Sequence, residues 1–180
     1  METRGDLRSK VNSFTVKRLA LLSILTALCY IGRIVFQFLP NVQPMTAILL
    51  LITLNLGLVD GLIVATTSLV LSNMVLGMGP WFFAQVVTYF IIIAFTGYFL
   101  RPIYLKKRAK IFFSIYAFLV GMIFGFIISI FSSKMFGMTN FWVYYMMGLP
   151  FDLAHAFGNA GFFFILEPIL TPIIKAKIKY

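Results

Sequence analysis

Apolar residues fill the chain in six runs, each cut from the next by a short break of prolines, glycines, amides or basic residues. The first run, about Leu19–Leu39, follows a polar and basic stretch, Met1–Arg18, and is interrupted only by Arg33. Pro40-Asn41-Val42-Gln43-Pro44 stops it, because two prolines flanking amide residues cannot continue a helix. The second run, about Met45–Val59, ends at the turn signal Asp60-Gly61; it is short, and spans a bilayer only if slightly extended or tilted. The third, Leu62–Leu76, carries Thr66, Thr67, Ser68, Ser72 and Asn73 and breaks at Gly77-Met78-Gly79-Pro80. Trp81–Leu100 is the fourth, closed by Arg101-Pro102 and the basic cluster Lys106-Lys107-Arg108-Ala109-Lys110. A fifth run covers about Ile111–Phe131, and a semipolar, aromatic connection, Ser132–Leu149, leads to the sixth at Pro150 to about Ile174. The pattern predicts six membrane-spanning helices with short connections.

The last run departs from the others. Pro150–Pro168, PFDLAHAFGNAGFFFILEP, holds Asp152, His155, Asn159 and Glu167 among aromatic and aliphatic residues. At 100° per residue the first three fall within about a 60° arc, with Glu167 about 60° beyond Asp152 on the other side. Ionisable groups are costly in hydrocarbon, so such a stripe is expected to face a protein interior or a wet cavity. The alternative for Asp152 and His155 is a simple interfacial position; Asn159, two turns in, favours a site.

Composition agrees with the pattern. With 61% hydrophobic residues, 11% charged residues and a mean hydropathy of +0.99 over 180 residues, the chain has more apolar surface than a soluble domain of this size can bury. The expected fold class is an all-α integral membrane protein, a single domain over residues 1–180 with a basic tail at 1–18. The apolar run after Lys17-Arg18 is long enough to span, which argues against a cleavable signal. The single Cys29 has no internal disulfide partner and is expected to pack in the interior.

Charge gives an orientation. Thirteen of the fifteen Lys and Arg lie before the first run, between the fourth and fifth, or after the sixth, leaving only Arg33 and Lys134. The positive-inside rule therefore predicts both termini in the cytosol. Topology and anionic headgroups account for the net charge of +10 without nucleic acid, although a basic loop could also dock an acidic partner.

That orientation sends the remaining polar residues to one face. Asn41 and Gln43, with Gln37, belong to the first outer connection; Asn73, Trp81 and Gln85, with Tyr89 one turn further, belong to the second. Asn140, Trp142, Tyr144 and Tyr145 join Asp152, His155 and Asn159 at the third. Amides and aromatics from three connections suit a ligand cup open to the exterior. An interfacial aromatic belt explains Trp142 and Tyr144 as well, but not Asn73 and Asn159 inside apolar helices.

Enzymatic and metal chemistry find little support. His155 is the only histidine, and Asp152 at i, i+3 supplies no third metal ligand. No Gly-rich phosphate loop occurs, so any ATP-driven step must come from another subunit. Serines such as Ser68 and Ser72 leave an intramembrane hydrolase as an alternative, without a GxSxG motif to carry it. Glu167 could serve a proton-coupled carrier or pair with a basic neighbour.

Two stretches resemble the substrate-binding S components of energy-coupling factor (ECF) vitamin transporters: FLPNVQPMTAILLLITLNLGLVDGLIVATTSLVLSNMVLGMGPW within Ile31–Trp81, and LPFDLAHAFGNAGFFFILEP at Leu149–Pro168. The resemblance implies a multi-pass subunit of a prokaryotic cell membrane that binds a vitamin outside and is no enzyme itself. It further implies docking on an ECF transmembrane coupling subunit with two ATPase subunits, and toppling in the bilayer to release the cargo. Docking in that family uses a small-residue AxxxA pattern on the first helix; here Ser23 and Ala27, with Ala20 one turn earlier, are the nearest match, or else ordinary bundle packing. The NVQPxTAI and SNxxLGMGPW segments are most similar to cobalamin-type S components, whose ligand presents carboxamides to Asn41, Gln43, Asn73, Gln85 and Asn159. Pantothenate or another small anionic vitamin is the alternative, with Arg33 or Lys134 as counter-charge.

Overall fold

The computed structural model describes the backbone of residues 4–178 and the side chains of residues 16–176. Regular structure among them is helical: α1 Arg4–Val35, α2 Met45–Leu56, α3 Leu58–Leu76, α4 Trp81–Lys106, α5 Lys110–Met135 and α6 Phe141–Ile178. α4 is continuous but passes through a π-helical turn over Thr96–Leu100. The helix of α1 starts at Arg4, within the stretch expected to be a tail.

Five of these helices are long and apolar enough to cross a membrane, and α2 is the exception. Its 12 residues rise about 18 Å, short of a hydrocarbon core of about 30 Å. Every residue from Met45 to Asn55 is buried, and α2 touches all five other helices. A helix apolar on every side belongs inside, and α2 is the axis of the bundle. It ends earlier than Val59 because Gly57 takes φ +114°, a region glycine enters without a Cβ penalty. Asp60, expected at a turn, lies instead in the first turn of α3, where the helix N-terminus favours negative charge. Its Oδ1 also accepts from Arg18 Nη2 at 2.6 Å and Nε at 3.1 Å, which ties α3 to α1.

The connection expected over Ser132–Leu149 shrinks to residues 136–140, because α5 runs to Met135 and α6 begins at Phe141. Asn140 caps that start: its Oδ1 accepts from the backbone N–H of Trp142 (3.1 Å) and Val143 (3.2 Å), two of the first-turn donors that a helix leaves unpaired. Pro150, Pro168 and Pro172 therefore lie within α6. Interior prolines are tolerated in membrane helices because neighbours and local adjustments satisfy the freed carbonyls.

α5 and α6 share the most extensive contact in the bundle. An ideal Cβ on Gly121 would sit 2.5 Å from the Ala156 Cα, and one on Gly125 would strike the Asp152 carboxylate. The two glycines, four residues apart, let the backbones approach, and close packing is what holds helices together when lipid is as apolar as the side chains. The connections at 36–44, 77–80 and 136–140 collect at one end of the bundle, called here the loop end. Gly57 and residues 107–109 mark the other, the basic end. There Tyr104 Oη donates to Glu167 Oε1 (2.9 Å) and lies 3.0 Å from Thr171 Oγ1, to which Asn55 donates at 3.3 Å, so that α2, α4 and α6 are joined.

Candidate ligand-binding site

Polar side chains at the loop end fall into three groups. The first joins α2, α4 and α6 to the connection 36–44. Tyr89 Oη lies 2.8 Å from Thr46 Oγ1, Thr46 Oγ1 lies 3.4 Å from His155 Nε2, and His155 Nδ1 lies 2.9 Å from the Asn41 carbonyl. A carbonyl only accepts, so Nδ1 carries the hydrogen; Nε2 then accepts from Thr46, and Thr46 accepts from Tyr89. Phe124 packs on both rings, 5.0 Å from Tyr89 and 5.2 Å from His155. Tyr89, Thr46 and His155 are all buried. Asn41 adopts φ +60°, a left-handed conformation that asparagine tolerates better than most residues. A second tether, Asn41 Nδ2 to the Phe151 carbonyl at 3.2 Å, holds it against α6. His155 thus positions a loop through a backbone carbonyl.

The second group bridges α3 and α4. Asn73 is buried and its Nδ2 donates to Leu69 O (2.9 Å) and Gln85 Oε1 (3.2 Å). The third flanks His155 on α6. Asn159 is 0% exposed and neither of its amide atoms has a hydrogen-bond partner; Asp152 Oδ2 is likewise buried and unpartnered. A buried orphan polar group costs about 1–3 kcal/mol, so these atoms are sites where a further partner would be stabilising.

A cavity of about 320 Å³ opens beside the first group, lined by Arg33, Phe36, Gln37, Asn41, Gln43 and Leu76 among others. Arg33 is half-buried and its Nη1 donates to Ser72 Oγ at 2.9 Å, which aims the guanidinium across from α1 to α3. Of the nine ligand residues expected from the sequence, Asn41 and Gln43 line this cavity. Tyr89 and His155 form the buried chain that holds Asn41, and Asn73 and Gln85 pair with each other. Asp152 and Asn159 are buried on α6, Asp152 against Gly125 of α5. Trp81 is 41% exposed and its indole lies over Gly79. The nine do not share one cavity. Thr46 escaped sequence reasoning, although a hydroxyl two residues after Pro44 in an apolar run is a visible signal; Phe124 carried none.

On α1, Ala20, Ser23 and Ala27 are all exposed on one face of the helix. The Ser23 hydroxyl donates back to Leu19 O (2.9 Å), so the stripe presents little polarity outward.

A family model described as "ECF transporter, substrate-specific component" matches residues 17–172. The chain belongs to this family. Comparison with curated proteins and with solved structures gave no match. In this substrate-specific component the match runs from the first membrane-spanning turns of α1 to the last proline of α6, and takes in the cavity, all three polar groups and the small-residue stripe.

Proposed function

We propose that this substrate-specific component captures a small anionic vitamin or vitamin precursor at the loop end of the bundle, outside a prokaryotic cell. It then hands the ligand to an ECF transmembrane coupling subunit driven by two ATPase subunits. The observation that carries this reading is the cavity of about 320 Å³ with a half-buried guanidinium in its wall. Small-molecule sites span roughly 300–1,000 Å³, so this one suits a compact ligand. Arg33 offers a planar fork of donors that matches a carboxylate or phosphate, and Gln37, Asn41 and Gln43 add neutral hydrogen-bonding groups. Pantothenate has the right class of chemistry: one carboxylate, an amide and hydroxyls.

A corrinoid is the second reading. The outer-loop sequence favours it, and the amides of Asn41, Gln43, Asn73, Gln85 and Asn159 match its carboxamide rim. It is far larger than the cavity, so binding would require the loops at 36–44, 77–80 and 136–140 to separate and Asn41 to leave one or both of its tethers on α6. For delivery, the exposed stripe Ala20, Ser23 and Ala27 supports docking of a partner helix, because small residues allow the close approach that association in lipid needs. With no phosphate loop in its own sequence, the chain takes ATP chemistry from its partners.

The test is a binding screen of the detergent-purified chain against a vitamin panel that includes pantothenate and cobalamin. Saturable binding of a small anionic vitamin, lost in Arg33→Gln, is the expected result. Tight binding of cobalamin alone would select the second reading. Turnover of a panel compound by the chain alone, or no binding at all, would overturn both.

A further inference from the structure

We propose that a groove between α5 and α6, at the basic end, holds one anionic phospholipid, with an acyl chain between the helices and its phosphate at Lys110. Ile111, Ser114 and Phe118 of α5 stand at i, i+3 and i+7; with Phe157, Ala160 and Phe164 of α6 they line a cavity of about 370 Å³. Both rows run about 10 Å along their helices. Phe118 and Phe157 close one end edge to face, with ring centres 5.0 Å apart. At the other end the Lys110 ammonium lies 3.5 Å from the centre of the Phe164 ring. Between these stops the lining is completed by Ile115 and by the small side chains of Ser114 and Ala160. The Ser114 hydroxyl donates to the Lys110 carbonyl (3.0 Å), so the surface it offers the groove is apolar.

The occupant follows from the two ends. Ile111, Phe157 and Phe164 are exposed apolar residues on membrane-spanning helices, which turns the groove toward lipid. An apolar slot alone would accept any acyl chain. Here its mouth lies beside four basic residues in five positions: Lys106, Lys107 and Arg108, all exposed, and Lys110. The contact with Phe164 keeps the Lys110 charge at the rim of the groove, where a cation on an aromatic face is stabilised. Basic pockets between membrane helices select acidic headgroups, and the charge at this mouth is complementary to a phosphate. The assignment does not depend on which vitamin the loop end takes.

Native mass spectrometry of the full chain in detergent, with phosphatidylglycerol or phosphatidylcholine of matched acyl chains, tests it. Wild type should retain the anionic lipid about fivefold over the zwitterionic one, the preference that one basic residue near a headgroup supplies. Lys110→Gln should abolish that preference while total lipid retained changes little. Ala160→Trp, or the milder Ser114→Leu, should lower retention of both lipids, whereas Val87→Trp on the exposed face of α4 should leave both unchanged. Excess inorganic phosphate should not displace the lipid, because the acyl chain anchors it. Equal retention of the two lipids by wild type, an intact preference in Lys110→Gln, or full retention in both groove-filling variants would overturn the assignment. Displacement of the lipid by added coupling subunit would give the groove to that protein instead.

Discussion

Replacing Asn159 with leucine distinguishes a binding residue from a packed one by the opposite signs of two measurements. The side chain is fully buried in α6 and neither its Oδ1 nor its Nδ2 has a hydrogen-bond partner. An unsatisfied buried polar group costs about 1–3 kcal/mol, and leucine removes it at the same heavy-atom count, although its two methyls are bulkier than the amide atoms. The empty chain should therefore become more stable, by about 1 kcal/mol once some packing strain is allowed for. For a ligand that reaches Asn159, as in the corrinoid reading, affinity should move the other way, because the lost hydrogen bond costs about 1–3 kcal/mol, roughly five- to a hundred-fold; a small anion confined to the Arg33 cavity should bind unchanged. Asn73→Leu provides the contrast. Its amide already donates to Leu69 O and Gln85 Oε1, so stability should fall by about 0.5–1.5 kcal/mol, and binding should weaken only for a ligand that reaches this pair. Thermal or denaturant unfolding of the detergent-solubilised empty chain gives the first quantity. Titration with the vitamin found in the panel screen gives the second. If Asn159→Leu destabilises the empty chain and binds like wild type, the amide is satisfied by the protein itself and the ligand lies elsewhere.

Gly121→Leu should cost about 3 kcal/mol or more in thermal unfolding, because its side chain would meet the Ala156 backbone, which cannot rotate aside. Thr46→Val and Tyr89→Phe should be non-additive by about 0.5–1.5 kcal/mol in a double-mutant unfolding cycle, since both act on one hydrogen-bonded chain; simple additivity would dissolve that chain into independent contacts. Ala27→Trp should leave ligand binding by the isolated chain intact while vitamin uptake in cells and co-purification with the coupling subunit fall together. A reporter fused after Tyr180 should be cytosolic and one within residues 133–140 external, and the reverse pattern would put the cavity on the wrong side of the membrane for capture.

The long helices were legible because an apolar run of twenty residues bounded by charge or proline has few other uses. The place of α2 was not. In a membrane the solvent and the protein interior are both apolar, so composition does not tell a lipid-facing helix from a central one, and the short run Met45–Val59 was expected to span if extended or tilted, whereas the helix has only 12 residues. His155 stood out as the single imidazole, yet its strongest partner is the carbonyl of Asn41, a backbone atom that no side-chain pattern announces. Asn140 is a case where one residue type serves two purposes: an asparagine before an aromatic run fits a loop or a helix cap equally well, and the first-turn N–H groups decide for the cap. Gly121 and Gly125 drew no expectation from the sequence, and their role emerges only with Ala156 and Asp152 set against them.

In the proposed mechanism α1 is the element on which capture and delivery meet. Arg33 lines the cavity, and Ala27 is exposed six residues earlier, about 9 Å along the same helix. In this reading the two functions use different faces: Ala20, Ser23 and Ala27 fall within about 60° of one another, whereas Arg33 points about 140° from Ala20, about 120° from Ala27 and about 80° from Ser23. A compact ligand held by Arg33 is separated from the stripe mainly along the helix axis, by about 9 Å from Ala27 and about 15 Å from Ser23. It does touch both ends of the connection 36–44, through Gln37 and Gln43, and this connection is fastened to α6 by His155 and Asn41 and to α1 by the packing of Pro44 on Gly32. On the proposed reading, loading the cavity should stiffen the joint between α1 and α6 and leave the docking face in place. An effect of ligand on docking would then be carried by α1 moving as a rod with the rest of the bundle, and substitutions in the stripe should alter coupling at unchanged affinity.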